Sequence, residues 1–128
     1  DAHKAASLVR SLELPAGGRM RVRVGGLDDL GTADGVINCT PLGMVGYPGS
    51  PVPDGAFPNN GWAFDAVYTP MDTPFRAQAL AAGAQFLSGY ELFFYQGVHA
   101  FKIFTGAEVE DLAALRAMLQ AEAEGALK

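Results

Sequence analysis

Ser88-Gly89-Tyr90-Glu91-Leu92-Phe93-Phe94-Tyr95-Gln96-Gly97-Val98-His99-Ala100-Phe101-Lys102-Ile103-Phe104-Thr105-Gly106 is a helix-length run opened by a glycine and closed by Thr-Gly. At about 3.6 residues per turn, Leu92, Gln96, His99 and Ile103 share one face. Phe94, Val98 and Phe101 fall on roughly the opposite face, with Phe93, Gly97 and Phe104 between. A helix apolar on both sides is expected to be packed on both sides, inside a protein or between two domains. Gln96 then sits among aromatics, and a buried amide needs partners. Neighbouring backbone or a bound polar ligand could supply them.

Upstream of this helix, residues 85–89 read as a short strand leading into it. Before that, Thr73-Pro74 supplies an N-cap with proline at the first helical position, and that helix runs to about Ala82. Gly83 is its left-handed C-cap. Residues 62–68 form a strand, and residues 36–40, a compact β-branched run, read as a buried strand. Residues 40–44 turn. Residues 46–61 are mostly Gly, Pro, Asn and Ser, which predicts one long surface loop of a length often functional.

At the beginning, Asp1 is placed to cap an amphipathic helix over residues 1–10, and residues 15–18 turn. Residues 20–24 alternate at period two and predict a strand with one solvated face. Gly25-Gly26 breaks it, before a helical turn over residues 27–30. After the central helix, Thr105 and Glu108 make a capping box. A last helix carries Val109, Leu112, Leu115 and Leu119 inward.

Strands alternating with helices predict an α/β fold with a parallel sheet. Right-handed crossovers bring every strand's C-terminal end to one edge, where ligands bind. Residues 38–43, 68–70 and 89–92 leave those ends, so they are expected to converge.

With 128 residues, a formal charge of −5 and 49% hydrophobic content, the chain suits one domain with a real core. The acidic balance and singly scattered Lys and Arg argue against nucleic acid. No stretch approaches the roughly 20 apolar residues that span a bilayer, so no membrane partner is expected. The single Cys39 excludes an internal disulfide framework and points to a reducing, cytoplasmic setting. One cysteine and two distant histidines show no metal-ligand spacing, so no metal is expected. Cys39 reads as a small core residue and His99 as a surface or interdomain histidine. The opening inside a helix predicts a piece of a longer protein.

Three blocks together resemble the second half of the shikimate/quinate dehydrogenase family. They are Asn38-Cys39-Thr40-Pro41-Leu42-Gly43-Met44; Asp65-Ala66-Val67-Tyr68 with Pro70 and Thr73-Pro74; and Gly89, Leu92, Gln96, Ala100-Phe101 and Phe104-Thr105-Gly106. The resemblance covers nearly the whole chain. It implies the second half of a Rossmann-like doubly wound sheet, with C-terminal helices packing toward an N-terminal substrate domain. It also implies oxidation of shikimate or quinate with NAD or NADP. Tyr68 and Gln96 would then contact the cyclitol acid. Ala66 and Gly89 would border the nicotinamide, Thr40 would pass beside it, and Leu92 takes the place where many members carry methionine. Asn38 would lie close to the cofactor. Asp1 and Lys4 would follow the strand that presents the adenosine ribose, and a carboxylate there favours NAD over a 2′-phosphate.

Each residue also has a plainer reading. Tyr68 could be a half-buried aromatic with its hydroxyl in water. Asn38 and Thr40 could brace a turn, and Asp1 could only cap a helix. The family's Gly-Leu-Gly-Met is here Gly89-Tyr90-Glu91-Leu92, bulkier and acidic, which leans toward the quinate/shikimate branch. The family's catalytic lysine and aspartate belong to the first domain, and its Gly-rich phosphate loop precedes the segment matched here. Residues 1–128 are therefore expected to be a partial NAD(P)-binding domain. Such a chain is inactive alone and needs the N-terminal half of the same protein. In the strand order 3-2-1-4-5-6, residues 20–24 would be strand 3 and residues 36–40 strand 4, leaving open edges. Two other readings remain: a non-catalytic complementing fragment, and another NAD(P)-linked enzyme such as a methylene-tetrahydrofolate dehydrogenase.

Overall fold

The computed structural model describes residues 2–12 and 20–126. Strands β1 (Gly35–Asn38), β2 (Trp62–Asp65) and β3 (Gln85–Ser88) form a parallel sheet in the order β1-β2-β3. Asn38 pairs with Asp65 and Asp65 with Ser88, so all three strands end level with one another. This is the α/β architecture expected from the alternation, with the three strands in the order of the second half of a doubly wound sheet.

Parallel neighbours need a crossover. Helix α2 (Pro74–Ala81) supplies it between β2 and β3. Thr73 caps α2 by accepting a 3.1 Å hydrogen bond from the Arg76 N–H, Pro74 opens it, and Gly83 at φ +74° follows it. Between β1 and β2 there is no helix, only irregular chain over residues 39–61. That chain must cover the sheet face itself. Val52 and Phe57 turn into the core with Val36, Ala63, Phe75 and Ala79, and Phe57 meets Phe75 edge to face at 5.4 Å. The expected surface loop is thus partly interior.

Burial alternates along the strands, and only one sheet face is covered. Val36, Asn38, Ala63 and Asp65 are buried, whereas Ile37 and Leu87 on the other face are each 54% exposed. The expected buried strand over residues 36–40 is corrected in extent: it ends at Asn38 and is buried on one face only, at Val36 and Asn38. Cys39 falls just beyond it and is exposed, not a core residue. Residues 20–24 are exposed and take no place in the sheet. Alternation makes a strand only where another strand offers its backbone, and none does among the described residues.

Helix α3 (Gly89–Thr105) begins one residue after β3, with Ser88 Oγ accepting from the Tyr90 N–H at 3.2 Å. It ends at Gly106 in the left-handed region at φ +71°. Only Gly89, Tyr90 and Phe94 are buried on it, and Phe104 is 86% exposed. Packing on both sides is therefore not observed. Helix α4 (Leu112–Ala126) starts later than the capping box implied, with the Asp111 carboxylate accepting from the Ala114 N–H at 2.9 Å. Thr105 instead ends α3, and Glu108 pairs with Lys102. Helix α1 (Ala2–Ser11) buries none of its residues, and its expected cap Asp1 lies outside the described residues. A 3-10 turn at Leu27–Thr32 sits where the helical turn was expected. Among the described residues no helix is long and apolar enough to cross a membrane.

Candidate functional site

The site is built on a buried polar network at the C-terminal ends of β1 and β2. Asp65 is 1% exposed, and its carboxylate accepts three hydrogen bonds. Asn38 Nδ2 (3.0 Å) and the Val67 N–H (3.0 Å) donate to Oδ1, and the Thr73 hydroxyl (2.6 Å) donates to Oδ2. Asn38, also 1% exposed, donates a second bond to the Leu42 carbonyl at 3.1 Å. Its own carbonyl oxygen accepts from the Thr40 N–H (2.9 Å) and hydroxyl (2.7 Å). No described side-chain polar atom that is buried lacks a partner. One connected set of bonds thus fixes the exits of two strands and the start of α2. Asn38 and Thr40 do brace a turn, as the plainer reading held.

Above this network lies a recess of about 250 Å³, lined by Thr40, Met44, Val45, Ala66, Tyr68 and Thr69 among others. It brings together three of the residues singled out from sequence: Thr40, Ala66 and Tyr68. Its size is just below the roughly 300–1,000 Å³ usual for ligand pockets. Gly89, just after β3, lies against the backbone of Asp65 and of Ala66, the latter a lining residue of the recess. A Cβ there would lie 2.6 Å from the Asp65 carbonyl oxygen and 2.7 Å from that of Ala66, so only glycine lets α3 start so close. The Thr69-Pro70 peptide is cis.

Tyr68 is 44% exposed and stacks on Phe93 with ring centroids 4.8 Å apart. Leu92 lines a second, more open recess of about 510 Å³ with Phe64, Leu87, Glu91 and Tyr95, on the uncovered sheet face. Gln96 is exposed and lines neither recess, so the expected buried amide is corrected. Its exposure shows that the aromatics around it in sequence do not enclose it. Lys4 is exposed on α1, outside both recesses, and Asp1 lies outside the described residues. His99 is exposed. Among the described residues no group of His, Cys, Asp or Glu could hold a metal ion.

Glu91, a departure from the family pattern, is held by Arg116 of α4 through a two-pronged ion pair, one prong at 3.0 Å. The guanidinium also lies 4.2 Å from the centre of the Phe94 ring. The hydrogen bonds that the guanidinium donates to the Glu91 carboxylate, above all, raise the Arg116 pKa over its ordinary value. Sequence reasoning passed over Asp65, Phe93 and Arg116 as site-forming residues. Asp65 carried a signal: an acid inside an apolar strand is rarely buried without a structural task. Phe93 and Arg116 carried none, because their partners are distant in sequence.

No protein-family model matches the chain. Individual relatives do. It is 41% identical over 104 residues to the shikimate dehydrogenase (NADP(+)) of Halorubrum lacusprofundi, covering 78% of this chain and 38% of that protein. It is 38% identical over 88 residues to the quinate/shikimate dehydrogenase (NAD(+)) of Corynebacterium efficiens, covering 69% and 31%. Its structure is similar to quinate dehydrogenase from Corynebacterium glutamicum in complex with NAD, with a TM-score of 0.78 and 32% identity. That match covers 94% of this chain and 44% of the other. The chain thus spans about a third of the length of the curated relatives it matches. The resemblance to the shikimate/quinate dehydrogenase family holds in sequence and in fold.

Proposed function

We propose that this chain is the C-terminal, cofactor-facing part of a shikimate/quinate dehydrogenase, and that it supplies one wall of the site for reversible hydride transfer. The observation that carries the reading is the convergence of Thr40, Ala66 and Tyr68 on one recess at the C-terminal sheet edge, with Gly89 packed against the backbone of Ala66. Dinucleotide sites of doubly wound folds lie at that edge.

NAD or NADP bound there supplies hydride exchange at its nicotinamide ring with a ring carbon of shikimate or quinate. The residues of this chain orient the partners. Thr40 and Ala66 would border the ring, Gly89 would allow close approach of backbone, and Leu92 would offer an apolar contact from the first turns of α3. Asn38 holds the Thr40 turn from below. Tyr68 and Gln96 offer a hydroxyl and an amide, which suit the hydroxyls and carboxylate of a cyclitol acid. The resemblance assigns Lys4, and Asp1 outside the described residues, to the adenosine end of the cofactor. The proton is handled by the N-terminal half of the same protein, so residues 1–128 act as a partial NAD(P)-binding domain without turnover of their own.

The full-length protein should oxidise shikimate or quinate with NAD or NADP, and the 128-residue chain should do neither. Turnover by the chain alone would refute the division of labour; no turnover by the full-length protein would refute the reaction. A second reading, a non-catalytic complementing unit, draws on the uncovered apolar face at Ile37, Trp62 and Leu87. It predicts assembly with a separate chain and no dehydrogenase activity in the assembled product.

A further inference from the structure

Tyr68 leaves β2 on irregular chain, and nothing in the polar network reaches its ring. Its hydroxyl makes no hydrogen bond to a described residue. Among the described residues the ring stacks on Phe93, parallel within 2° and 4.8 Å away centre to centre. Phe93 stands on α3, a helix of 17 residues capped at both ends. On its other side it lines an apolar cleft of about 400 Å³ with Phe94, Leu115 and Leu119, which ties it to α4.

We propose that Phe93 is a positioning residue: by stacking on Tyr68 it holds that ring over the recess, with the hydroxyl free to meet a hydroxylated ring substrate. The inference rests on the reading of Tyr68 as a substrate contact. The physical reason is preorganisation. An exposed tyrosine on a loop samples several rotamers, and a ligand that needs one of them binds more weakly by the fraction of time it is populated. A stacked pair shifts such a population by about two- to tenfold. The contact is with the substrate's partner residue, not with the cofactor, so the effect should fall on KM for the cyclitol and leave kcat and cofactor affinity alone.

The test uses the full-length protein with Phe93→Leu and Phe93→Tyr, the second retaining a ring for the stack. Two readouts are needed: the ring-current shift of the Tyr68 ring protons, assigned by their loss in Tyr68→Phe, and steady-state kinetics. Phe93→Leu should lose the shift and raise KM for the cyclitol about two- to tenfold, with kcat and cofactor KM within about twofold; Phe93→Tyr should restore both. Loss of the shift with unchanged KM would overturn the proposal, as would equal rises in KM for cyclitol and cofactor. Should the wild type turn over neither cyclitol, the functional reading fails separately. The ring shift then tests the stack by itself: its persistence in Phe93→Leu overturns the Tyr68–Phe93 contact and the positioning role with it, and its loss there with recovery in Phe93→Tyr upholds the contact alone.

Discussion

Asn38 and Asp65 stand directly opposite each other across the β1–β2 ladder, and a 3.0 Å hydrogen bond joins their buried side chains. In a parallel sheet, facing residues of neighbouring strands project to the same side, so this register places an amide donor against a carboxylate. Asp65→Asn should destabilise the full-length protein by about 1–3 kcal/mol, because an amide cannot accept all three bonds now made to the two carboxylate oxygens. Asn38→Ala should cost a similar amount and also loosen the Thr40 turn. Urea denaturation with unchanged slope would measure both. A loss below about 0.5 kcal/mol for each would show that water replaces the network at no cost.

Gly89 and Gly97 should respond to alanine with opposite signs. At Gly89 the new methyl meets two backbone carbonyl oxygens, neither of which can swing aside. Overpacking of that kind costs about 1–3 kcal/mol and displaces the start of α3. At Gly97 nothing lies within 4 Å, so Gly97→Ala should stabilise the helix by about 0.5–1 kcal/mol. Thermal unfolding of the two variants is the check. Destabilisation at Gly97 would reveal a surface seated on that notch in the full-length protein.

These contrasts show why part of the molecule was legible in sequence. Signals carried by neighbours in the chain were readable: Thr73-Pro74 and Gly83 around α2, Gly106 after α3, the strands before them. Signals that need a distant partner were not. Residues 20–24 have the alternation of a strand and pair with nothing described. Glu108 stands at capping-box spacing from Thr105, yet Lys102 takes its carboxylate. Val52 and Phe57 are core residues hidden in a Pro- and Gly-rich segment, because the missing crossover helix makes the loop cover the sheet. At the site, the family blocks led to Thr40, Ala66 and Tyr68, which the fold brings together. Helical periodicity placed Gln96 on its face of α3 but could not say what covers that face.

The Glu91–Arg116 pair should depend on salt but not on pH around neutrality. Both side chains are partly exposed, at 39% and 26%, so screening reaches them. Arg116 is raised above its ordinary value by the Glu91 hydrogen bond. A raised folded value means the contribution is fully present below the unfolded value and is lost only as pH climbs through the folded one, far into the alkaline range. Arg116→Met keeps a contact with the Phe94, Tyr90 and Tyr95 rings while removing the charge. The stability gap between wild type and Arg116→Met should narrow from low to high salt and stay constant from pH 7 to about 9. A gap indifferent to salt would assign the effect to ring stacking alone.

Gln96 separates a substrate contact from a structural one most cleanly. It lies one turn beyond Leu92 on α3, about 6 Å along the axis, and α3 starts at the C-terminal edge of the sheet. Its side chain is exposed, and its amide makes no hydrogen bond to a described residue. Truncating it should therefore leave folding intact, unlike the Asn38 case. If the amide meets a ring hydroxyl or the carboxylate of the cyclitol, its loss leaves those groups unpaired in the closed site, at a cost of roughly 1–3 kcal/mol. On the proposed function, Gln96→Ala in the full-length protein should then lower kcat/KM for shikimate or quinate about ten- to a hundredfold, with the melting temperature and the cofactor Kd unchanged. Leu92→Ala, by contrast, should weaken the cofactor and spare the cyclitol. Equal effects of Gln96→Ala on both ligands would place the amide outside the substrate site.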